Sequence, residues 1–174
     1  MKAAVHEKLM HTSDEVATSI RKFFNMPLDM PLSPDKLKDI INTIEQHKGF
    51  SISEDDKKRL TLKKSGSIEI TYSNKEQEYE KFMYVLKSFC YSMIHYDFDI
   101  KEDKNISEQE ILNDIKTRYL VDALILPDAF FREEICKRSD IKGRVNIHGM
   151  AKDLKLPFTR IIRRGNAMNI WSNK

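Results

Sequence analysis

The stretch Asn74–Asp97, NKEQEYEKFMYVLKSFCYSMIHYD, decides the fold. Within it Tyr79, Phe82, Met83, Leu86, Cys90, Met93 and Ile94 recur three or four residues apart, so they share one face of an α-helix. Asn74 carries a side chain suited to capping the first turn, and the spacing predicts a long, core-facing helix from Lys75 to Asp97.

Upstream, FSIS and RLTLKKSGSIEITYS alternate apolar and polar residues around Ser65-Gly66, most clearly at Ile68, Ile70 and Tyr72. This is the pattern of a small antiparallel hairpin or meander. Before the strands, two helices are expected. The first starts at Ser13, followed by Asp14 and Glu15, and ends at Pro27. The second is capped by Ser33, with Pro34 in its first turn, and ends near Gly49.

Downstream, Ser107 with Glu110 three residues on forms a capping box, from which one helix is expected to run through Tyr119 to Leu126 and stop at Pro127. DAFFREEICKR reads as a short helix with Phe130, Phe131 and Ile135 on one side. Two more helices, broken at Leu156-Pro157, complete the chain.

Composition bounds the class. The 174 residues suit a single domain, 1–174, and a formal charge of +3 with 33% charged residues fits neither a polyelectrolyte nor a disordered chain. No stretch approaches the roughly 18 apolar residues of a membrane span, and charges run through the first twenty residues, so a cytoplasmic protein without a membrane partner is expected. Cys90 and Cys136 are far apart, which excludes a CxxC motif and suggests two buried thiols. The charge is uneven, however. Residues 132–174, a basic helical segment, hold 11 Lys+Arg against 4 Asp+Glu. Such a segment is a solvated face or a phosphate-binding one.

The order helix, helix, strands, long helix, helix ending in LILP, short helices resembles that of the ImmA/IrrE-type zinc peptidases over nearly the whole chain. Three places carry the resemblance: Ile68-Glu69-Ile70-Thr71 running through Glu80–Phe82 into the long helix, Val121-Asp122-Ala123-Leu124-Ile125-Leu126-Pro127, and Met150-Ala151-Lys152-Asp153-Leu154. The resemblance implies an α+β, mostly helical, zincin-like domain with a small antiparallel sheet. It also implies a protein partner, a phage-type or mobile-element repressor, which active members cleave.

Matching the family's HExxH helix to this sequence places Lys87, Ser88 and Tyr91 on the motif, with His95 beyond it. In such a site two histidines on one helical face hold zinc and a glutamate takes a proton from the bound water. Lys87 is a cation, Ser88 is no carboxylate base, and Tyr91 is a poor ligand near its usual pKa of about 10. The family's third ligand, an acid on the next helix, falls at Asp114, one turn after Glu110. Asp114 reads either as a solvated residue paired with Lys116 or Arg118, or as the counter-ion of a Lys87 ammonium that replaces the metal. No cofactor and no metal are expected. A replacement site at His95, Asp97 and Asp99 is the remaining metal candidate, against the plainer reading of His95 as a helix-ending residue.

The resulting expectation is a non-catalytic regulatory or protein-interaction module, with Phe130, Phe131 and Trp171 as aromatic candidates for its surface or core. The alternative is a DNA-binding regulator, in which MAKDLKLPFTRIIRRGNAM forms a helix-turn-helix-like segment and Arg160, Arg163 and Arg164 meet phosphates. Lys155 or Leu156 stands where such a turn favours glycine.

Overall fold

The structure, a computed structural model, describes residues 2–96 and 100–171, with side chains from residue 12 onward. The protein is α+β. Its contacts divide into two compact units: residues 1–33 with 122–174, and the continuous segment 34–121. This division does not follow the charge boundary at residue 132.

The continuous unit opens with a 3₁₀ turn at Pro34–Lys36 and α1, Leu37–Glu45, whose Leu37, Ile40, Ile41 and Ile44 are buried. Strands β1 (Phe50–Asp55), β2 (Arg59–Leu62) and β3 (Ile68–Ser73) follow, then α2 (Glu78–His95), β4 (Lys104–Ile106) and α3 (Glu108–Asn113). The hairpin around Ser65-Gly66 is present: β2 and β3 are antiparallel, with Leu60 opposite Ile70 and Leu62 opposite Ile68, and Gly66 at φ 92° takes the left-handed conformation the turn requires. The wholly antiparallel sheet is corrected. The strand order is β1-β3-β2-β4, and β1 pairs parallel with β3. Alternation shows that a strand has a wet face and a dry one, and it does not say which strand lies beside it. Here β3 lies between β1 and β2 although it follows both in the chain.

Helix α2 starts at Glu78, three residues later than predicted. Gln77 occupies its N-cap position without a side-chain cap. The one-sided stripe is also corrected. Phe82 to Leu86 and Ser88 to Tyr91 are buried on every side, whereas Met93 is exposed at the last turn. A helix surrounded in this way is a central core element, and two of its buried positions are serines, Ser88 and Ser92. The Ser92 hydroxyl is satisfied by donating to the Phe89 carbonyl at 2.7 Å.

The helix expected from Ser107 to Leu126 is two helices. Ser107 does cap α3, its Oγ accepting from Glu110 N at 3.1 Å. At Asp114 the backbone then becomes extended (φ −74°, ψ 111°) before α4, Ile115–Ile125, begins. α4 carries the chain out of the continuous unit into the other.

That other unit begins with a helix, α5 here, at Lys2–Phe23, so Ser13 lies inside it rather than at its start. It also contains α6 (Asp128–Lys137), α7 (Ile147–Leu154) and α8 (Phe158–Ala167). Three of these helices, α5, α7 and α8, end in the same way, with Asn25, Lys155 and Asn169 left-handed at φ 53–54°. At each, the following N–H reaches back to a carbonyl five residues earlier: Met26 to Arg21 at 2.7 Å, Leu156 to Ala151 at 3.0 Å, and Ile170 to Gly165 at 2.9 Å. These are Schellman caps, and asparagine tolerates their left-handed residue better than lysine does. Arg21 is buried within the unit. Its guanidinium donates to the Pro27 carbonyl, to Met30 O at 2.9 Å and, through Nε, to Leu124 O at 3.0 Å. Cys90 is buried as expected, but Cys136 is exposed near the end of α6. Among the described residues no helix is long and apolar enough to cross a membrane.

Candidate functional site

The positions matched to the zinc motif lie on α2 and around the α3–α4 junction, all within the continuous unit. Lys87 is half-buried, one helical turn before Tyr91. Ser88 is fully buried, and its hydroxyl makes no well-formed hydrogen bond among the described residues. It lies near the Tyr84 phenol, where it offsets part of the rise in pKa that burial gives that group.

Tyr91 donates its hydroxyl to Glu110 Oε1 at 2.7 Å, and its ring lies against His95 with 4.4 Å between centroids. Burial, then the bond to Glu110 and the charges of Glu110 and Asp114, push the Tyr91 phenol far above its usual range, so it remains a protonated donor.

Asp114 is not a solvated helix residue paired with Lys116 or Arg118. It is the N-terminal cap of α4, with Oδ2 accepting from Thr117 N at 2.8 Å and from Thr117 Oγ1 at 2.6 Å. The same oxygen lies 3.1 Å from His95 Nε2. Burial works to raise its pKa, but the Thr117 hydroxyl, the Thr117 N–H and His95 outweigh it and hold the carboxyl below its ordinary value. Tyr91 and Glu110, and likewise His95 and Asp114, thus form two hydrogen-bonded pairs between α2 and the α3–α4 junction. Among the described residues no three His, Cys, Asp or Glu side chains converge as metal donors. Asp97 and Asp99, the other members of the candidate set with His95, lie outside the described residues.

The Asp114 cap has a testable consequence. A carboxyl whose folded pKa is depressed adds stability above its unfolded pKa of about 3.9, and loses it as pH falls through the lower folded value. Asp114→Asn keeps a good capping side chain without the titration, whereas Asp114→Ala removes the cap at a cost of about 1–2 kcal/mol. Between pH 5 and pH 2 the wild type is therefore expected to lose more stability than Asp114→Asn in parallel urea melts. Equal losses would show that the carboxylate charge contributes nothing.

The three candidate phosphate-binding arginines lie in α8 and are turned inward within the discontinuous unit. Arg160 and Arg163 both donate to the carboxylate of Asp122, with Arg163 Nη2 at 2.7 Å from Oδ1. Arg164 donates to the Leu126 carbonyl at 3.0 Å and pairs with Asp14. Arg160 and Arg164 are buried, and only Arg163 is substantially exposed, at 40% of its side chain. The positive surplus of residues 132–174 is thus met in part by Asp14 and Asp122, which lie outside that segment. Sequence order conceals such pairings because they connect positions 41 and 150 residues apart.

Among the aromatic candidates, Phe131 is buried and Phe130 is half-buried. Trp171 folds back onto α8, donating Nε1 to the Ile162 carbonyl at 3.0 Å. Its indole covers Gly165, where a Cβ would lie only 2.0 Å from Cε2 and Nε1. Gly165→Ala is therefore expected to displace the single tryptophan, giving a red-shifted and more readily quenched emission. Unchanged emission would place the indole elsewhere.

No protein-family model matches the chain, and no curated protein matches it.

Proposed function

We propose that this chain is a non-catalytic relative of the ImmA/IrrE-type zinc peptidases that acts by binding a protein, with a phage-type or mobile-element repressor as its partner. The observation that carries this reading is the use made of the motif positions. Lys87 brings a cation where a neutral imidazole would be needed, and Ser88 is sealed in the core. Tyr91 is held protonated by burial and by its bond to Glu110, and Asp114 is engaged as a helix cap. A phenol kept as a donor and a carboxylate already accepting two hydrogen bonds are poor zinc ligands. The two pairs Tyr91–Glu110 and His95–Asp114 join the same elements that a metal would join, and so support a cleft frame kept for binding rather than for hydrolysis.

The test starts from the neighbouring reading frames: a phage-type repressor encoded beside this gene is expected, and the protein is mixed with it and followed by size-exclusion chromatography with light scattering. A stable complex containing intact repressor is expected. A cleaved repressor, or stoichiometric zinc that Asp114→Ala removes, overturns the non-catalytic reading, and the absence of a complex overturns the interaction reading.

The DNA-binding alternative has one observation in its favour: α7 and α8 are joined by only three residues, in the manner of a helix-turn-helix. Arg160 and Arg164 are buried, so any phosphate contact falls to exposed residues such as Lys152 and Lys155 and to the partly exposed Arg163. A fluorescence-anisotropy titration with duplex DNA at low and high salt, repeated with Lys152→Ala/Lys155→Ala, distinguishes the readings. Steeply salt-dependent binding lost in that variant favours DNA.

A further inference from the structure

Strand β1 is six residues long and, among the described residues, forms one edge of the sheet with β3 alone beside it. Its odd-numbered positions face β3: Gly49 O accepts from Ile68 N at 2.6 Å and Asp55 O from Asn74 N at 2.7 Å. The backbone groups of Ile52 and Glu54 therefore point away from the sheet. At the centre of that edge the Ile52 N–H donates outward, and what it meets is a side chain, the Glu45 carboxylate at 2.7 Å from the end of α1. Glu45 occupies the place where the carbonyl of a further strand would lie. Ser51, Ser53, Glu54 and Asp55 beside it are exposed.

We propose that β1 pairs antiparallel with β1 of a second copy of this chain, with Ile52 on the two-fold axis, joining the two sheets into one of eight strands. Charge complementarity favours a second copy. With Ile52 opposite Ile52, Glu54 faces Phe50, Asp55 faces Gly49, and Ser51 faces Ser53. Just beyond the strand, Lys48 comes opposite Asp56. Between the strands themselves no like charges are opposed in this register, the charge of Glu54 is already countered by Lys81 at 2.8 Å, and the two Glu45 carboxylates, which would otherwise meet at the axis, leave it as the pair forms. Exposed edges are ordinarily blocked by charge or by bulges. Here the blocking group is one exposed side chain that can swing out when a backbone carbonyl replaces it.

The register dictates the experiment. Ser51 and Ser53 of the second copy form a non-hydrogen-bonded pair, whose Cα atoms lie about 4.5 Å apart, within disulfide range. Ser51→Cys and Ser53→Cys are made separately, each with the exposed Cys136 changed to Ser. On mild oxidation the mixture is expected to cross-link into a covalent heterodimer, while each variant alone remains largely uncross-linked. Sedimentation of the full chain measures the dimer directly, and Glu45→Ala, by removing the placeholder from both copies, is expected to tighten dimerisation about tenfold. A chain that stays monomeric at all concentrations, a mixture that cross-links no faster than its components, or a dissociation constant unmoved by Glu45→Ala each overturns the proposal.

Discussion

Arg21→Ala is expected to destabilise the discontinuous unit by about 3–5 kcal/mol, the cost of breaking a buried charged network. Arg21 is 1% exposed, and its guanidinium holds the backbone carbonyls of Pro27, Met30 and Leu124. Burial lowers its pKa to about 10, with Asp29 working in the opposite direction. What keeps such a cation inside is the fork of donors matched to several acceptors. Removing it strands the buried Leu124 carbonyl, takes the donor from the part-buried carbonyls of Pro27 and Met30, and frees the connector after α5. Arg21→Lys is expected to recover little, because an ammonium lacks the planar fork. Trp171 is the only tryptophan and lies in the same unit, so urea melts followed by its emission read the loss directly. A loss below about 1 kcal/mol would show that the carbonyls find other donors.

Asp122→Ala is expected to cost a similar amount, about 3–5 kcal/mol, because it leaves Arg160 buried without its counter-ion. One carboxylate, 3% exposed, serves two guanidinium groups from α8. Asp122→Leu combined with Arg160→Met should recover part of the loss, since removing both charges of a buried pair costs less than removing one. An additive double mutant would argue against coupling between the two residues. The same geometry has a practical consequence: replacing Arg160, Arg163 and Arg164 together tests folding rather than DNA binding.

Local periodicity makes the long helix, the Ser107 cap and the β2–β3 hairpin legible in the sequence, because each is fixed by residues within a few positions of one another. What escaped was set by distance along the chain or by a single side chain. The parallel β1–β3 pairing places a later strand between two earlier ones. The break at Asp114 was hidden by apolar residues that continue helical spacing on both sides of it. A capping aspartate with Thr117 three residues on was its only signal. At the candidate site, the sequence drew attention to Tyr91, His95, Glu110 and Asp114 but not to which of them pair. Tyr91–Glu110 and His95–Asp114 join residues 19 apart, one on α2 and the other on or just after α3. The three arginines were visible as charge, and their orientation was not, because it depends on Asp14 and Asp122.

The discontinuous unit imposes an order of events on a chain made from its N-terminus. Residues 1–33 emerge first, yet the carbonyls of Leu124 and Leu126 and the arginines of α8 that complete their surroundings lie beyond the 88 residues from Pro34 to Val121. At 5–20 residues per second that interval lasts roughly 4–18 s. The continuous unit can close during it, while α5 waits with Ala17, Ile20 and Phe24 uncovered. This is the period in which a nascent chain most needs a chaperone, and a truncation after Val121 would make that exposure permanent.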